Sequence, residues 1–394
     1  MERETALSEH ALDMLEIADV ALASAQGLAI TDVHTDAQIT KDWLETVLSG
    51  GEDARLLAAS CAEGHDGMTV RRRWSLQWNE AGELSGLPKN VFIKVTPDEP
   101  YLRETLAVLH MAEHEVRFYN TMQKDVSSIS PKSYFGAFYP GGRFILITEN
   151  LETEGKTPYW LHHHCSIEHA KAVCAALAEL HATFWESDRF ETDLSWVRPR
   201  TQRFGRKWHI RSFETARAAY PDTEFGKNMP DEVRTILDLW SESYAQVYKY
   251  WESLPTTVLH GDSHLGNTYA NPDGSAGFFD WQVILRGNGL RDVSYFIGSA
   301  LSNQDRATNE RLIVDHYLTE LRNRGIDLNP DAAWADYCLF GLDRFDAHMK
   351  TCVFGGYGHS EDGRMRGRDT IFGSFIDNNV LGLLQTILKN GSVY

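Results

Sequence analysis

The sequence predicts an α+β protein in two lobes: a small one on an antiparallel sheet with one main helix, and a larger helical one. Three observations carry this. Short apolar runs of strand length crowd the stretch before residue 150, helical stripes dominate after it, and the 394-residue length suits one fold of two lobes. The expected divisions are a helical lead-in over 1–50, a sheet lobe over 51–150 and a helical lobe over 151–394.

The elements follow in order. Leu, Ala and Ile recur at helical spacing over 5–28, and ITKDWLETVL reads as a short helix that starts near Thr40. ARLLAAS, VRRRWSLQW and NVFIKV then have strand length and partial alternation, separated by EGHDG and NEAGELSGLPK, and predict a meander. YLRETLAVLHMAEHEVRFY at 101–119 sets Leu102, Leu106, Leu109, Ala112, Val116 and Tyr119 on one helical face. RFILIT at 143–148 is again a strand. Beyond it, Val173, Leu177, Leu180 and Phe184 form one stripe, and Val233, Leu237, Trp240, Tyr244, Val247 and Trp251 another, with Pro230 opening the second helix.

Composition narrows the functions. Lys and Arg total 38 against 56 Asp and Glu, a formal charge of -18, which disfavours a nucleic-acid partner or an anionic membrane and leaves a cationic or neutral small molecule as the expected acceptor. Five scattered cysteines without a CxxC pair suit a reducing compartment. No basic, apolar leader and no run of 18 apolar residues occurs, so a cytoplasmic location is expected.

The chemistry gathers in VLHGDSHLGNTYANPDGSAGFFDWQ at 258–282. NPDG has turn composition and GFFDW is an apolar run. A hairpin looped over Pro272–Ser275 would set Asn267 opposite Asp280 at its open end. An amide oxygen and a carboxylate are hard ligands suited to magnesium that keeps its waters and binds phosphates. Asp262, on the loop that enters the hairpin, is free to act as a base. Two other chemistries compete: paired carboxylates Asp262 and Asp280 in a hydrolase, and zinc on His260 and His264. Gly261 and Gly266 argue for a loop rather than the helix that an HxxxH ligand pair needs.

HGDSHLGN followed by FFDW resembles the HGDxHxxN loop and metal-binding Asp of the aminoglycoside phosphotransferase and choline kinase superfamily of protein-kinase-like small-molecule kinases. HEVRFY brings it nearest to the CHK-type, ecdysteroid-kinase-like subgroup. The resemblance implies a two-lobed kinase-like fold, ATP and Mg2+, and transfer of a phosphoryl group to a hydroxyl of a small molecule. It implies Asp262 as catalytic base, Asn267 and Asp280 as metal ligands, and His260 as a brace. NVFIKV resembles the strand that bears the phosphate-contacting lysine, Lys94, whose side chain alternation sets with Phe92 on one face. Glu115 is its expected partner, with Glu104 in RETLAVL the rival.

ILITENLE resembles the hinge that meets adenine through the backbone of Glu149, Asn150 and Leu151. Asp292 in GLRDVSYF matches a recurrent aspartate and is expected to cap the next helix. One departure stands out: GxGxxG is absent, and AEGHDGMTV supplies only Gly64, Gly67 and the hydroxyl of Thr69 near the phosphates. The acceptor side is expected within 186–230 and 300–375. A catalytically inactive nucleotide-binding scaffold and a magnesium-dependent hydrolase are the alternatives.

Overall fold

A computed structural model describes residues 33–393 apart from 52, 63, 65, 140, 204–205 and 356–359. The helix expected over 5–28 lies outside the described residues. The described residues fall into two compact units: 33–156 with 280–283, and 157–279 with 284–393.

The first unit holds α1 (Lys41–Leu48), β1 (Leu56–Ala62), β2 (Val70–Trp78), α2 (Glu80–Leu84), β3 (Asn90–Val95), α3 (Pro100–Val108), α4 (Met111–Thr121), β4 (Ser133–Tyr139) and β5 (Arg143–Glu149). Its antiparallel sheet has the order β1-β2-β3-β5-β4. Thr40 caps α1 by accepting from the Trp43 amide, and Leu44 and Leu48, one turn apart, pack on one face of the sheet. Val91, Ile93 and Val95 of β3 are fully buried there with Ile145 and Ile147 of β5. Truncating one such side chain to alanine costs about 2–5 kcal/mol. Alternation turns Phe92 and Lys94 to the opposite face, where Lys94 pairs across the ladders with Arg71 of β2 and Leu146 of β5.

Two features differ from expectation. SYFGAFY forms strand β4, which the sequence does not announce because every residue of it is half-buried. The single helix expected over 101–119 is two, since His110 takes a left-handed conformation (φ 51°) between α3 and α4. Segment 280–283 joins this unit through Trp281, whose ring stacks on Phe118 of α4 with centroids 3.8 Å apart.

The second unit is mostly helical: α5 (Ile167–Thr183), α6 (Arg206–Ala219), α7 (Asp231–Ser253), α8 (Leu290–Ala300), α9 (Asn303–Asn323), α10 (Pro330–Leu339), α11 (Gly341–Phe354), α12 (Glu361–Asp377) and α13 (Val380–Asn390). Ser166 caps α5 through the His169 amide, and the stripe from Val233 to Trp251 on α7 is buried. Short strands β6 (Thr157–Pro158), β7 (Thr257–Leu259), β8 (Thr268–Ala270), β9 (Ala276–Phe278) and β10 (Leu285–Gly287) form small sheets. Among the described residues no single helix is long and apolar enough to cross a membrane.

The β8–β9 hairpin closes one residue off the expected register. Thr268 faces Phe278, and the Asn271 amide donates to the Ser275 carbonyl, which makes the loop five residues long. The Asp273 carboxylate sets that loop by accepting from the Ser275 amide and hydroxyl at 2.9 and 2.7 Å. Asn267 therefore meets Phe279, whose amide donates to its carbonyl at 3.0 Å, and Asp280 is the residue after the ladder ends.

Candidate active site

Within the first unit the polar face of β3 carries a buried charge cluster. The Lys94 ammonium lies 2.7 Å from Glu115 Oε2 and 2.9 Å from Asp280 Oδ1, and Arg71 reaches Asp280 Oδ2 at 3.6 Å. Lys94 and Glu115 are 5% and 2% exposed, so each charge depends on the others for its compensation. Burial pushes the Glu115 carboxyl up, Lys94 opposes that, and the Asp280 charge adds to the rise. Glu104 takes no part; its Oε1 is buried without a hydrogen-bond partner. Asp280 is held at φ 65°, a left-handed conformation that Asp tolerates better than most residues.

The remaining nucleotide candidates of this unit are at its turns. Gly64 packs against the backbone of Arg71, and the Gly67 amide donates to the Thr69 carbonyl. Thr69 is buried, and its hydroxyl accepts from Arg71 Nε at 3.3 Å. The Glu149 carboxylate accepts from the Lys132 amide and from Lys156, while the Asn150 and Leu151 carbonyls accept turn bonds from Thr153 and Lys156.

Within the second unit, the loop after β7 is pinned from below. Gly261 sits at φ 84°, where a side chain would be strained, and its carbonyl accepts from Arg291 Nη1 at 2.6 Å. The Asp292 carboxylate accepts from the His260 amide at 2.7 Å and the Gly261 amide at 3.3 Å. Asp292 thus clamps the loop; α8 begins after Gly289, and no side chain caps it. His260 bridges the loop to the hairpin, its Nε2 3.0 Å from the Phe279 carbonyl and its Nδ1 accepting from the Asp262 amide. Arg291 also binds Asp343, which with Asp346 holds Arg200. Arg291, Asp343 and Arg200 escape sequence reasoning because the network spans more than 100 residues of chain.

Asp262 stands at the loop's tip. The Tyr295 hydroxyl donates to its Oδ1 at 3.1 Å, and His264 Nε2 lies 3.5 Å from its Oδ2. Burial raises its pKa, but His264, His260 and the Tyr295 hydroxyl outweigh that and hold the carboxyl well below the usual range. The Asn267 amide nitrogen donates to the Asp262 carbonyl at 2.9 Å, which fixes the side chain.

Taken separately, Asn267 Oδ1 in the second unit and the Asp280 carboxylate in the first are hard oxygen donors of the kind magnesium takes when it keeps water and phosphate in its shell. Among the described residues no group of three or more His, Cys, Asp and Glu could hold a metal, and His264 precedes a single 3-10 turn, Leu265–Asn267, so the spacing needed for zinc on His260 and His264 is missing.

Solved structures share this fold at low identity. The ethanolamine kinase of Plasmodium vivax aligns at 12% identity over 82% of this chain and 83% of its own, with a TM-score of 0.51. The GDP and kanamycin complex of APH(2")-IIia aligns at 11% over 85% and 97%, with a TM-score of 0.50. Choline kinase LicA of Streptococcus pneumoniae aligns at 13% over 85% and 96%, with a TM-score of 0.48. No curated protein matches the chain. Residues 68–329, which hold β2 through α9 and the polar groups just described apart from Gly64, Gly67, Asp343 and Asp346, match the ecdysteroid kinase-like family. That match spans about two thirds of the chain, and the chain belongs to the ecdysteroid kinase-like family, within the aminoglycoside phosphotransferase and choline kinase-like superfamily.

Proposed function

We propose that the chain is an ATP- and magnesium-dependent phosphotransferase that phosphorylates a hydroxyl of a small molecule. The observation that carries this is the buried Lys94, held by Glu115 at 2.7 Å and by Asp280 at 2.9 Å, an arrangement that presents one ammonium beside a carboxylate of metal-ligand type. Lys94 binds the nucleotide phosphates, and Glu115 fixes its position. Asn267 and Asp280 would hold magnesium, which would supply neutralisation of charge on the transferred phosphoryl group. The backbone of Glu149, Asn150 and Leu151 meets the adenine, and the turn with Gly64, Gly67 and Thr69 covers the phosphates, with the Gly67 amide already bonded to the Thr69 carbonyl and the Thr69 side chain buried.

Asp262 orients the acceptor hydroxyl. The acceptor oxygen forms the new bond to the γ-phosphorus as the bond to the β–γ bridging oxygen breaks; ADP leaves with that electron pair, and the acceptor's proton passes to Asp262. A carboxylate of depressed pKa is a weak base, which suits a loose transition state that needs positioning more than early deprotonation.

The test separates the two aspartates. Asp262→Asn keeps magnesium-ATP affinity within a few-fold by calorimetry and lowers acceptor-dependent ADP release by about 10²–10⁴. Asp280→Asn, which tolerates the same left-handed backbone, weakens magnesium-dependent nucleotide binding itself. If Asp262→Asn turns over normally, the base assignment is lost.

A further inference from the structure

A cavity of about 500 Å³ lies wholly in the second unit, beside Asp262. Tyr295 and His264, the two side chains that contact the Asp262 carboxylate, both line it. Its lining is basic: among the described residues, three arginines, Arg344, Arg364 and Arg366, and five histidines contribute, and no Asp or Glu does. That is unexpected in a chain of formal charge -18.

Arg344 is the decisive group. It comes from α11 and is 6% exposed, yet no carboxylate pairs with it among the described residues. Its Nη2 donates to the Ser374 hydroxyl at 3.0 Å, and its Nε has no partner. The carboxylate that acts on its charge, Glu310, is already taken by Arg306, Tyr337 and Asn378. The guanidinium lies on bare backbone at Gly298 of α8, where a Cβ would fall 0.9 Å from Nη1. Burial pulls its pKa down to about 10, which still leaves it charged at neutral pH. Across the cavity wall, Arg364 of α12 stacks over Phe225 at 5.0 Å, its Nε also unpartnered.

A buried cation without a counterion is costly unless a ligand supplies one. A neutral acceptor would leave Arg344 uncompensated, and an ammonium would add repulsion. We propose that this cavity is the acceptor subsite and takes an alcohol that also carries an anionic group, a carboxylate, sulfate or phosphate ester, anchored by Arg344 and Arg364 with its hydroxyl toward Asp262. The anion site stands on the cavity alone; its role as acceptor subsite rests on the phosphotransferase reading above. It replaces the cationic or neutral acceptor that net charge suggests.

The probe is inorganic sulfate, titrated against the full chain by thermal shift, with sodium chloride at matched ionic strength as reference. The wild type shows a saturable rise in melting temperature beyond chloride. Arg344→Met melts no lower than the wild type without sulfate, because it removes an unpaired buried charge, and binds sulfate at least tenfold more weakly. Arg364→Gln, at a less buried position, weakens sulfate several-fold and decides the matter if Arg344→Met does not fold. A sulfate response equal to chloride, or unchanged in Arg364→Gln and in folded Arg344→Met, overturns the proposal, as does an Arg344→Met protein that folds but melts well below the wild type. Magnesium-ATP affinity, measured by calorimetry on the same samples, separates the failures: loss of sulfate binding with nucleotide binding intact sinks only the anion subsite, whereas no nucleotide binding by the wild type sinks the phosphotransferase reading.

Discussion

Replacing Lys94 by methionine tests the charge cluster directly. The side chain keeps its length, but Glu115 and Asp280 lose the ammonium that lies 2.7 and 2.9 Å away. Glu115 is 2% exposed, so its charge has no water to turn to, whereas Asp280 retains Arg71 at 3.6 Å. Breaking a buried pair by removing one partner costs about 3–5 kcal/mol, and the residual Arg71 contact places the expectation near the lower end. The loss should depend on pH. Burial already raises the Glu115 pKa, and without Lys94 it rises further. A carboxyl whose folded pKa exceeds its unfolded value, about 4.3, contributes stability below that unfolded value and loses it as pH rises through the folded one. The deficit of Lys94→Met relative to wild type is therefore larger at pH 8 than at pH 5. Urea unfolding followed by tryptophan fluorescence reads both. Lys94→Met/Glu115→Leu should recover about 2–3 kcal/mol, since the orphaned carboxylate is gone. A single-variant loss under about 1 kcal/mol, or a deficit that grows on acidification, refutes the reasoning.

His169 is 6% exposed, stacks on Tyr159 at 4.0 Å and places Nε2 3.2 Å from the Thr268 hydroxyl, and burial lowers its pKa to about 4. The unfolded chain takes up a proton near pH 6.5 that the folded chain refuses, so stability on the order of 3 kcal/mol, present above pH 6.5, is lost as pH falls toward 4; His169→Gln should remove that component, and an unchanged pH slope in the variant would contradict it. Asp292→Asn retains one acceptor oxygen for two loop amides, and should cost about 1–3 kcal/mol in unfolding free energy while lowering phosphotransfer with magnesium-ATP affinity kept within a few-fold. Wild-type turnover in that variant would show that the loop does not need its clamp.

What was legible in the sequence was what local pattern encodes. Strands β1, β2, β3 and β5 announce themselves by apolar runs between turn residues and α1 by its Thr40 cap, while Lys94 and Glu115 are picked out by the family resemblance of NVFIKV and HEVRFY, with helical period favouring Glu115 over Glu104. Strand β4 does not, because Gly136 and half-buried aromatics leave no two-sided contrast. The break at His110 carries no glycine or proline to mark it. The hairpin register slipped by one residue because the Asp273 side chain organises a five-residue loop, and one residue is enough to exchange Phe279 for Asp280 opposite Asn267. Asp292 was expected to cap a helix and instead serves amides some 30 residues upstream, a contact no periodicity reports. The same holds for Arg344, whose meaning depends on no carboxylate pairing with it among the described residues.

The most direct measurement is a product analysis. Purified protein is incubated with magnesium-ATP and a panel of alcohols that includes hydroxy acids, sugar phosphates, amino alcohols and neutral polyols, and ADP, inorganic phosphate and acceptor mass are followed together. ADP is expected in equal amount with an acceptor that has gained one phosphoryl group, and both should fall by about 10²–10⁴ in Asp262→Asn. ADP released in step with inorganic phosphate, with no phosphorylated acceptor and no dependence on Asp262, would contradict it.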